Sequence, residues 1–333
     1  MKLIQKIEKE NKDVIKIMGI KFTRKKKIKA KKHNSISGYN KNRFYNMIVD
    51  KTMPESVKKG ILENRFYNMV GYFPNLDTPK SFNEKLNWLK LYYKDPLMTK
   101  CVDKITFKDY IKETLGDGYT VPLIKVYNSP EEINFEELPN QFVIKSNCGW
   151  GGLQVCIVKD KNSVNIDNLK AQANNWILDW NNYFYQSFEW DCKDITPKIM
   201  VEEYIEQMDG QVYDYKFFCY NGEPKNLFVA ADRFQNKSFN FYDLDWNLLP
   251  FTRLYPNSKY PLKKPKNFNK MVELARKLSK PFPFVRVDLY EIGDKVLVGE
   301  LTFFPGGGVE PFTPVEWDYK LGEMLKLPEK KEI

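Results

Sequence analysis

The sequence has 333 residues, with 53 Lys and Arg against 43 Asp and Glu, and a single His. That length holds one large domain or two of ordinary size, and a hydrophobic content of 42% with 29% charged residues is typical of a globular protein rather than a disordered one. Apolar runs are too short for a transmembrane helix, and the first residues lack the apolar core of a signal peptide, so we expect a cytoplasmic protein.

The numbers and positions of histidine and cysteine exclude several kinds of catalysis and of metal site. The one histidine, His33, lies in a lysine-rich segment, which argues against Ser-His-Asp catalysis, Cys-His catalysis and a His-ligated metal. Five cysteines without CxxC spacing indicate reduced thiols rather than a disulfide framework or a zinc site. A metal in this protein should therefore be held by oxygen atoms, which favours Mg²⁺, Mn²⁺ or Ca²⁺.

The positive charge is confined to the start of the chain. Residues 1–33 hold 13 basic and three acidic residues, a net charge of +10, whereas the other 300 residues are neutral. Apolar residues recur from Leu3 to Phe22 at helical spacing, so residues 1–40 are predicted to form a basic amphipathic tail that binds the inner face of an anionic membrane. The alternative is a solvated terminus. Since the body is neutral, we expect no nucleic-acid partner.

A helical region is predicted for residues 41–100. The sequence NRFYNM occurs at Asn42–Met47 and again at Asn64–Met69. Two related helices with Phe and Met directed inward are one interpretation, and a coincidence of ordinary core packing is the favoured alternative. Ser81 and Glu84 have the spacing of a capping box and predict a helix start, with Leu86 and Leu89 packed. Another helix is predicted from about Leu97 to the glycine at 116.

Strands dominate the rest of the chain. Glycine-containing turns, apolar alternation and the Asn221-Gly222 turn signal predict hairpins interleaved with two helices. The predicted strands are 141–146, 153–158, 199–205, 212–220, 225–231, 284–291 and 295–303. The predicted helices are 166–183 and 267–279. This mixture indicates an α+β fold rather than a doubly wound parallel sheet.

The first candidate for chemistry is a glycine-rich loop after a strand. Lys145 lies near the strand end, and Gly149, Gly151 and Gly152 follow it closely. Glycines let backbone N–H groups approach a phosphate, although neither a P-loop nor a dinucleotide-binding fingerprint is present. An ordinary hairpin turn is the alternative.

The second candidate is the last hairpin. Arg286, Asp288 and Tyr290 share one strand face, and Glu300 and Thr302 share the matching face of the return strand. If these faces coincide, Asp288 lies opposite Glu300 and a three-residue loop is centred on Asp294. Two facing carboxylates repel each other unless a cation lies between them, and Mg²⁺ is a suitable cation. Arg286 could then stabilise negative charge that develops during a reaction. A solvated hairpin face is the alternative.

The chain contains two further acidic motifs. Glu202 and Glu203 lie within an apolar strand, so at least one of them must face the buried side of a sheet or a cleft. Asp243 and Asp245 form a DxD, a metal-binding signature of many glycosyltransferases, but the surrounding FYDLDWN reads better as a turn.

The order of these features resembles that of the ATP-grasp ligases. Longer stretches of the sequence resemble the TupA-like ATP-grasp family, which is linked to teichuronopeptide and other cell-surface polysaccharides. The matching stretches cover about residues 78–328. They are SFNEKLNWLK, DPLMTKCVDK, LPNQFVIKSNCGWGG, VEEYI, DYKFFCYNGEP, PFVRVDLY and VGELTFFPGGG. The resemblance implies two α+β subdomains closing on ATP, at residues 101–198 and 199–333.

The resemblance also implies roles for individual residues. Lys104 and Lys145 would contact the ATP phosphates, with loop 149–152 folded over them. Glu202 or Glu203 would hold adenine and Asp214 the ribose. Asp288 and Glu300 would ligate Mg²⁺ while Arg286 stabilises the transition state. Thr302 stands where these ligases usually have an Asn ligand, which puts a second metal in doubt.

The reaction implied is ADP-forming amide synthesis through an acyl phosphate. A uronic acid of a capsule or other cell-envelope glycan is the expected carboxylate, and an amino acid or amine the expected nucleophile. Three alternatives remain at this stage: a DxD glycosyltransferase, an ATP-dependent sugar kinase and a membrane-associated scaffold.

Overall fold

The computed structural model describes residues 53–149, 152–178, 187–206, 213–231 and 238–330, together with the backbone of 4–9, 12–17 and 20–25. The chain divides into two compact units, Met1–Lys41 and Asn42–Ile333. Within the described residues, no helix combines the length and the apolar composition needed to cross a membrane.

The first unit contains a three-stranded antiparallel sheet in the order β1-β2-β3. Its strands are β1 (Ile4–Lys9), β2 (Lys12–Ile17) and β3 (Ile20–Lys25). The helical periodicity predicted for this segment is therefore wrong. Most of its apolar residues are β-branched, and the register sets Ile4 opposite Ile17 and Ile7 opposite Val14, so the same residues also satisfy a sheet.

The second unit begins with helices. They are α1 (Glu55–Val70), α2 (Phe82–Tyr92), α3 (Pro96–Val102) and α4 (Thr106–Leu115). The predicted capping box is confirmed: Ser81 Oγ accepts from the Glu84 N–H at 3.2 Å, and the Glu84 carboxylate accepts from the Ser81 N–H at 3.0 Å. The first copy of NRFYNM lies outside the described residues. In the second copy, Phe66 is buried as predicted, whereas Met69 is exposed.

The long helix predicted from Leu97 to Leu115 is interrupted. Asp103 ends α3 in an extended conformation, and its carboxylate accepts from the N–H of Ile105 at 2.9 Å. A polar side chain that bonds its own backbone competes with the helix. The break also frees the Lys104 N–H to donate to the Asn147 carbonyl at 2.9 Å, so Asp103 and Lys104 sit at a joint instead of on a continuous helix.

A four-stranded antiparallel sheet follows, in the order β4-β7-β5-β6. Its strands are β4 (Leu123–Tyr127), β5 (Phe142–Ser146), β6 (Val155–Val158) and β7 (Ile199–Glu203). Helix α5 (Ile166–Leu178) covers one face with Leu169, Ala173 and Trp176, and the short α6 (Trp190–Lys193) precedes β7. Because β7 pairs with β4 and β5, this sheet extends past the subdomain boundary expected at residue 198.

The second sheet is five-stranded and antiparallel, in the order β10-β9-β8-β12-β13. Its strands are β8 (Asp214–Tyr220), β9 (Glu223–Ala231), β10 (Ser238–Asp243), β12 (Phe284–Ile292) and β13 (Lys295–Thr302). Asn221 and Gly222 both have positive φ and close the β8–β9 hairpin as predicted. Short strands β11 (Thr252–Arg253) and β14 (Phe312–Thr313) pair beside the sheet.

The largest core covers both faces of this second sheet. On one face, helix α7 (Phe268–Ser279) packs on Phe217 and Val287. On the other face, α2 packs through Phe82 on Phe284, and helix α8 (Glu316–Met324) packs on α2. Each fully buried side chain of this kind contributes about 1.5–3 kcal/mol. The polar side chains of β8, β12 and β13 lie on the same face as Phe284, farther along the strands, and this face is the cleft face.

Candidate active site

The β12–β13 hairpin places two carboxylates face to face. Asp288 pairs directly with Glu300, and Arg286 with Thr302, so the predicted register is confirmed. The predicted three-residue loop is wrong, because Ile292 pairs with Lys295 and leaves Gly293 and Asp294 as a two-residue loop. The extra residue sits in a β-bulge at position 299, where the register shifts.

Arg286 joins the polar groups of this hairpin. Its guanidinium donates to both oxygens of Asp288 at 2.7 and 2.8 Å, to Glu300 Oε1 at 2.8 Å and to Thr302 Oγ1 at 3.0 Å. The Thr302 hydroxyl donates in turn to Glu300 Oε1 at 3.3 Å. Bidentate pairing fixes both the charge and the orientation of the guanidinium. Arg286, Asp288, Glu300 and Thr302 therefore form one connected cluster on the cleft face.

Lys216 is a member of this cluster that the sequence did not reveal. It lies opposite Asp288 on β8, donates to Asp288 Oδ2, and lies 3.5 Å from the carboxylate of Asp214. Asp214, the candidate ribose ligand, is buried beside Lys216. The sequence does carry a signal for it: in the otherwise apolar strand DYKFFCY, the lysine is two residues after an aspartate and therefore on the same face.

The two facing carboxylates have different electrostatics. Burial raises the pKa of Asp288 despite the nearby charges of Arg286 and Lys216. Burial would also raise the pKa of Glu300, but Lys216, Arg286 and Lys104 together outweigh it and hold that pKa well below its ordinary value. Glu300 is therefore a firmly ionised carboxylate.

The donor set of this cluster suits Mg²⁺. Two carboxylates and one hydroxyl are hard oxygen donors, and Mg²⁺ is commonly held by one or two carboxylates plus substrate phosphates. Among the residues that the structure describes, no group of three or more His, Cys, Asp or Glu side chains is arranged to hold a metal. The two carboxylates and the hydroxyl of the cluster would leave the rest of an octahedral Mg²⁺ shell to water or phosphate oxygens.

A second charged cluster lies on the four-stranded sheet. Glu202, buried on β7, accepts from Lys145 on β5 at 2.5 Å and from Lys108 on α4 at 2.6 Å. Burial would raise the pKa of Glu202, but these two ammonium groups outweigh it and lower that pKa. Glu203, the other candidate adenine ligand, is exposed, and its N–H donates to the Pro122 carbonyl at 3.1 Å. Lys108 is a further site residue that the sequence did not single out.

Lys104 connects this sheet to the glycine-rich loop. Its ammonium group donates to the Gly149 carbonyl, and burial lowers its pKa. Gly152 has a φ of 73°, which favours glycine. Gly151 lies outside the described residues. The side chain of Asn147 is fully buried and accepts from the Lys198 N–H at 2.7 Å while donating to Asp103 at 3.0 Å, so it anchors the base of the loop.

A cavity of about 200 Å³ lies between the two sheets. Lys104 and Lys145 line it together with Lys108 and Glu202, and most of its other walls are apolar. The apolar wall residues include Val143, Val155, Ile157, Ile205 and Leu297. Such a cavity suits a ligand with an anionic group and a flat apolar body.

The DxD motif takes no part in either cluster. Asp243 ends β10, and its carboxylate accepts from the N–H groups of Asp245 and Asn247 at 3.0 and 2.8 Å and from the Asn247 amide at 2.9 Å. These bonds belong to a turn, so the motif reads as local structure. This observation removes the main support for a glycosyltransferase.

A family model described as TupA-like ATPgrasp matches residues 84–326. No curated protein matches the chain.

Among solved structures, a D-alanine–D-alanine ligase from Bacillus anthracis in complex with ATP is similar at 18% identity, with a TM-score of 0.36, over 61% of this chain and 53% of that one. A phosphoribosylamine–glycine ligase from Thermotoga maritima is similar at 16% identity, with a TM-score of 0.38, over 68% and 56%. A D-cycloserine synthetase is similar at 14% identity, with a TM-score of 0.37, over 69% and 72%. The chain thus spans little more than half the length of the first two.

Proposed function

Because the chain belongs to the TupA-like ATP-grasp family, we propose that it is an ATP- and Mg²⁺-dependent ligase that joins a carboxylate to an amine. The observation that carries the proposal is the Arg286 guanidinium bridging two facing carboxylates, Asp288 and Glu300, on the wall of a cleft. That arrangement suits transfer of a phosphoryl group from a metal-bound nucleotide.

In this proposal the four-stranded sheet binds the nucleotide. Lys104 and Lys145 neutralise its phosphates, with loop 149–152 covering them, while Glu202, Glu203 and the apolar walls receive the base and Asp214 the ribose. Asp288, Glu300 and Thr302 hold Mg²⁺, which neutralises the phosphate oxygens when it is bound. Lys216, which pairs with Asp288, is an additional candidate phosphate ligand.

The proposed reaction has two steps. A carboxylate oxygen attacks the γ-phosphorus, and the bond between that phosphorus and the β,γ-bridging oxygen breaks, giving an acyl phosphate and ADP. The amine nitrogen then attacks the acyl carbon, phosphate leaves, and the nitrogen loses a proton to give an amide. Arg286 stabilises the negative charge that develops on the transferred group.

For the substrates, we propose a uronic acid of a cell-surface glycan or its precursor and an amino acid or other amine. Support comes from the family's link to teichuronopeptide and related polysaccharides. We also propose that the enzyme works in the cytoplasm at the inner face of the membrane, held there by the basic residues 1–33. Each basic residue near an anionic leaflet contributes about 1 kcal/mol.

The test of the reaction follows ADP release from ATP and Mg²⁺ with uronic acids, with and without amino acids. A ligase should release ADP only with the carboxylate present, and hydroxylamine in place of the amine should trap the acyl phosphate as a hydroxamate. A sugar kinase, the remaining alternative, would release ADP and leave a phosphorylated sugar that hydroxylamine does not change. That outcome would reject amide formation.

The test of location compares the full chain with a variant lacking residues 1–33. The full chain should co-sediment with anionic vesicles at low salt and detach as salt rises, because the attraction is screened over roughly 8–10 Å. The deletion variant should bind ATP normally and stay in the supernatant. Co-sedimentation that persists after the deletion would assign membrane binding to another part of the protein.

A further inference from the structure

Tyr290 is a cleft residue to which the proposed chemistry gives no role. It lies two residues after Asp288 on the same face of β12 and opposite Leu297 on β13. Both side chains line the cavity between the sheets, and Gly299 lines it beside them. The ring therefore lies in the wall of the cavity, two residues along β12 from Asp288 of the carboxylate cluster.

Gly299 is required for that ring to be where it is. A β-carbon built on Gly299 would lie 2.4 Å from Cε2 of Tyr290 and 3.2 Å from its hydroxyl oxygen. Gly299 is not among the glycines with positive φ, so its backbone conformation is open to other residues. Space for the ring is thus the reason for a glycine at 299, in contrast to Gly293 and Gly152, whose φ values are 59° and 73°.

The bulge at residue 299 creates this arrangement. Asp288 pairs with Glu300 but Leu289 pairs with Val298, so one residue of β13 has no partner on β12. The shift turns Leu297 to the cleft face beside Tyr290, although strict alternation from Glu300 would place it in the core. The bulge thereby sets Leu297, instead of Val298, opposite Tyr290 on the cleft face.

The opposite wall of the cavity is also apolar. Val143, Val155 and Ile157 of the four-stranded sheet line it, and the ammonium groups of Lys104 and Lys145 line the same cavity. A ligand with a flat ring and a polyanionic chain matches this division, with its ring between the aliphatic side chains and the tyrosine. An aromatic side chain stacks on any nucleobase, since every base has a π-face.

We infer that Tyr290 forms the stacking wall for the nucleobase of ATP and that Gly299 is the residue that admits it. This inference rests on the proposed function and assigns to the nucleotide site a specificity residue from the five-stranded sheet. Tyr290 contributes to binding of the base, and the phosphates are bound by other residues.

The experiment measures binding of ATP and of inorganic tripolyphosphate by calorimetry, with thermal unfolding as the check on folding. Tyr290→Ala should weaken ATP binding about tenfold, the scale of one lost base–aromatic stack, and should leave tripolyphosphate binding unchanged. Tyr290→Phe keeps the ring and should bind ATP within about twofold of the wild type. If the alanine variant does not fold, Tyr290→Leu, which keeps apolar bulk without the ring, should show a loss of several-fold for ATP alone.

Gly299→Ala tests the second half of the inference. In the wild-type background it should displace the ring and weaken ATP binding as Tyr290→Ala does. In the Tyr290→Ala background it should cost nothing further, because the two changes remove one interaction. ATP affinity that survives Tyr290→Ala, or a loss shared equally by tripolyphosphate, would overturn the inference while leaving the ligase proposal intact. A wild-type protein that binds neither ATP nor tripolyphosphate would overturn both.

Discussion

The two sheets of the second unit present opposite charge balances to the cleft. On the four-stranded sheet one carboxylate, Glu202, is paired with two ammonium groups. On the five-stranded sheet three carboxylates, Asp214, Asp288 and Glu300, share two cations. The first sheet therefore has positive charge to offer an anion, and the second has negative charge to offer a metal ion. In the proposed function, the two components of a metal–nucleotide complex therefore bind from opposite sides of one cleft.

The largest expected effect comes from the acidic side of this comparison. Asp288→Asn should lower Mg²⁺-dependent turnover by at least about 10³-fold, because it removes a ligand from the proposed ion and a partner from Arg286. Rates of ADP release measure this loss. Asp243→Asn is the matched control, since Asp243 belongs to a turn, and it should retain activity within about twofold. Loss of activity in the control with retention in Asp288→Asn would restore the glycosyltransferase reading.

Substitutions on the basic side of the cleft should change the affinity for ATP. Lys145→Ala should weaken ATP binding by roughly 10- to 100-fold, the range for a lost hydrogen bond to a charged group. The loss should extend to tripolyphosphate, in contrast to changes at Tyr290. Lys125→Ala serves as control because Lys125 is on β4 of the same sheet with its side chain 51% exposed. Calorimetry on the folded variants measures both, and wild-type affinity in Lys145→Ala would remove this residue from the site.

A smaller effect is expected at Lys108, which sharpens the comparison within the basic side. Removing Lys108 leaves Glu202 to pair with Lys145 alone, so Lys145 becomes less available to phosphate. Lys108→Met should weaken ATP binding roughly three- to tenfold. Adding Glu202→Gln to that variant should recover part of the loss, because it frees Lys145. Purely additive losses would show that Lys108 acts independently of Glu202.

The smallest effect concerns a buried acid outside both clusters. Burial and the charge of Glu189 raise the pKa of Asp191 to about 8, with Lys90 opposing the shift. The folded protein thus keeps a proton that the unfolded chain releases at its ordinary pKa, and this contribution to stability is lost as pH rises toward 8. The side chain of Asp191→Asn is neutral at every pH and does not lose this stability. The melting temperature of the variant minus that of the wild type should therefore be larger at pH 9 than at pH 5, by about 3 °C or more.

The control for this pH dependence is Asp194→Asn, three residues along the chain at an exposed position. Its melting temperature should follow that of the wild type at every pH, because substitutions at exposed positions usually change stability little. A flat difference between Asp191→Asn and the wild type would show that Asp191 is ionised in the folded protein.

Local signals in the sequence predicted much of this molecule. The capping box at Ser81 and the Asn221-Gly222 turn each depend on neighbouring residues only, and both are confirmed. The pairing of Asp288 with Glu300 followed from matching two polar faces. These features needed no knowledge of the remaining fold.

Features that depend on distant partners were missed or misplaced. The break at Asp103 is stabilised in part by Asn147, 44 residues away. Helical periodicity carries no information about that partner, so it predicted one continuous helix. The bulge at Gly299 accompanies the Tyr290 ring, and no local signal reveals it. It turns Leu297 to the cleft face, although strict alternation from Glu300 would place that residue in the core. Lys216 can be recognised as a site residue only from its contact with Asp288, 72 residues further along the chain. For residues 4–25, β-branched residues satisfied two periodicities, and composition could not decide between them.

Asn147 has a mechanical consequence. Its side chain ties the segment around Lys198 to Asp103 at the joint between α3 and α4, and its carbonyl accepts from the Lys104 N–H. Lys104 and the start of the glycine-rich loop are thus anchored by the same residue, which fixes the spacing between them. In the proposed function, the two groups that meet the phosphates therefore keep a constant arrangement. A shorter side chain at 147 would remove this shared anchor and let the two parts move independently.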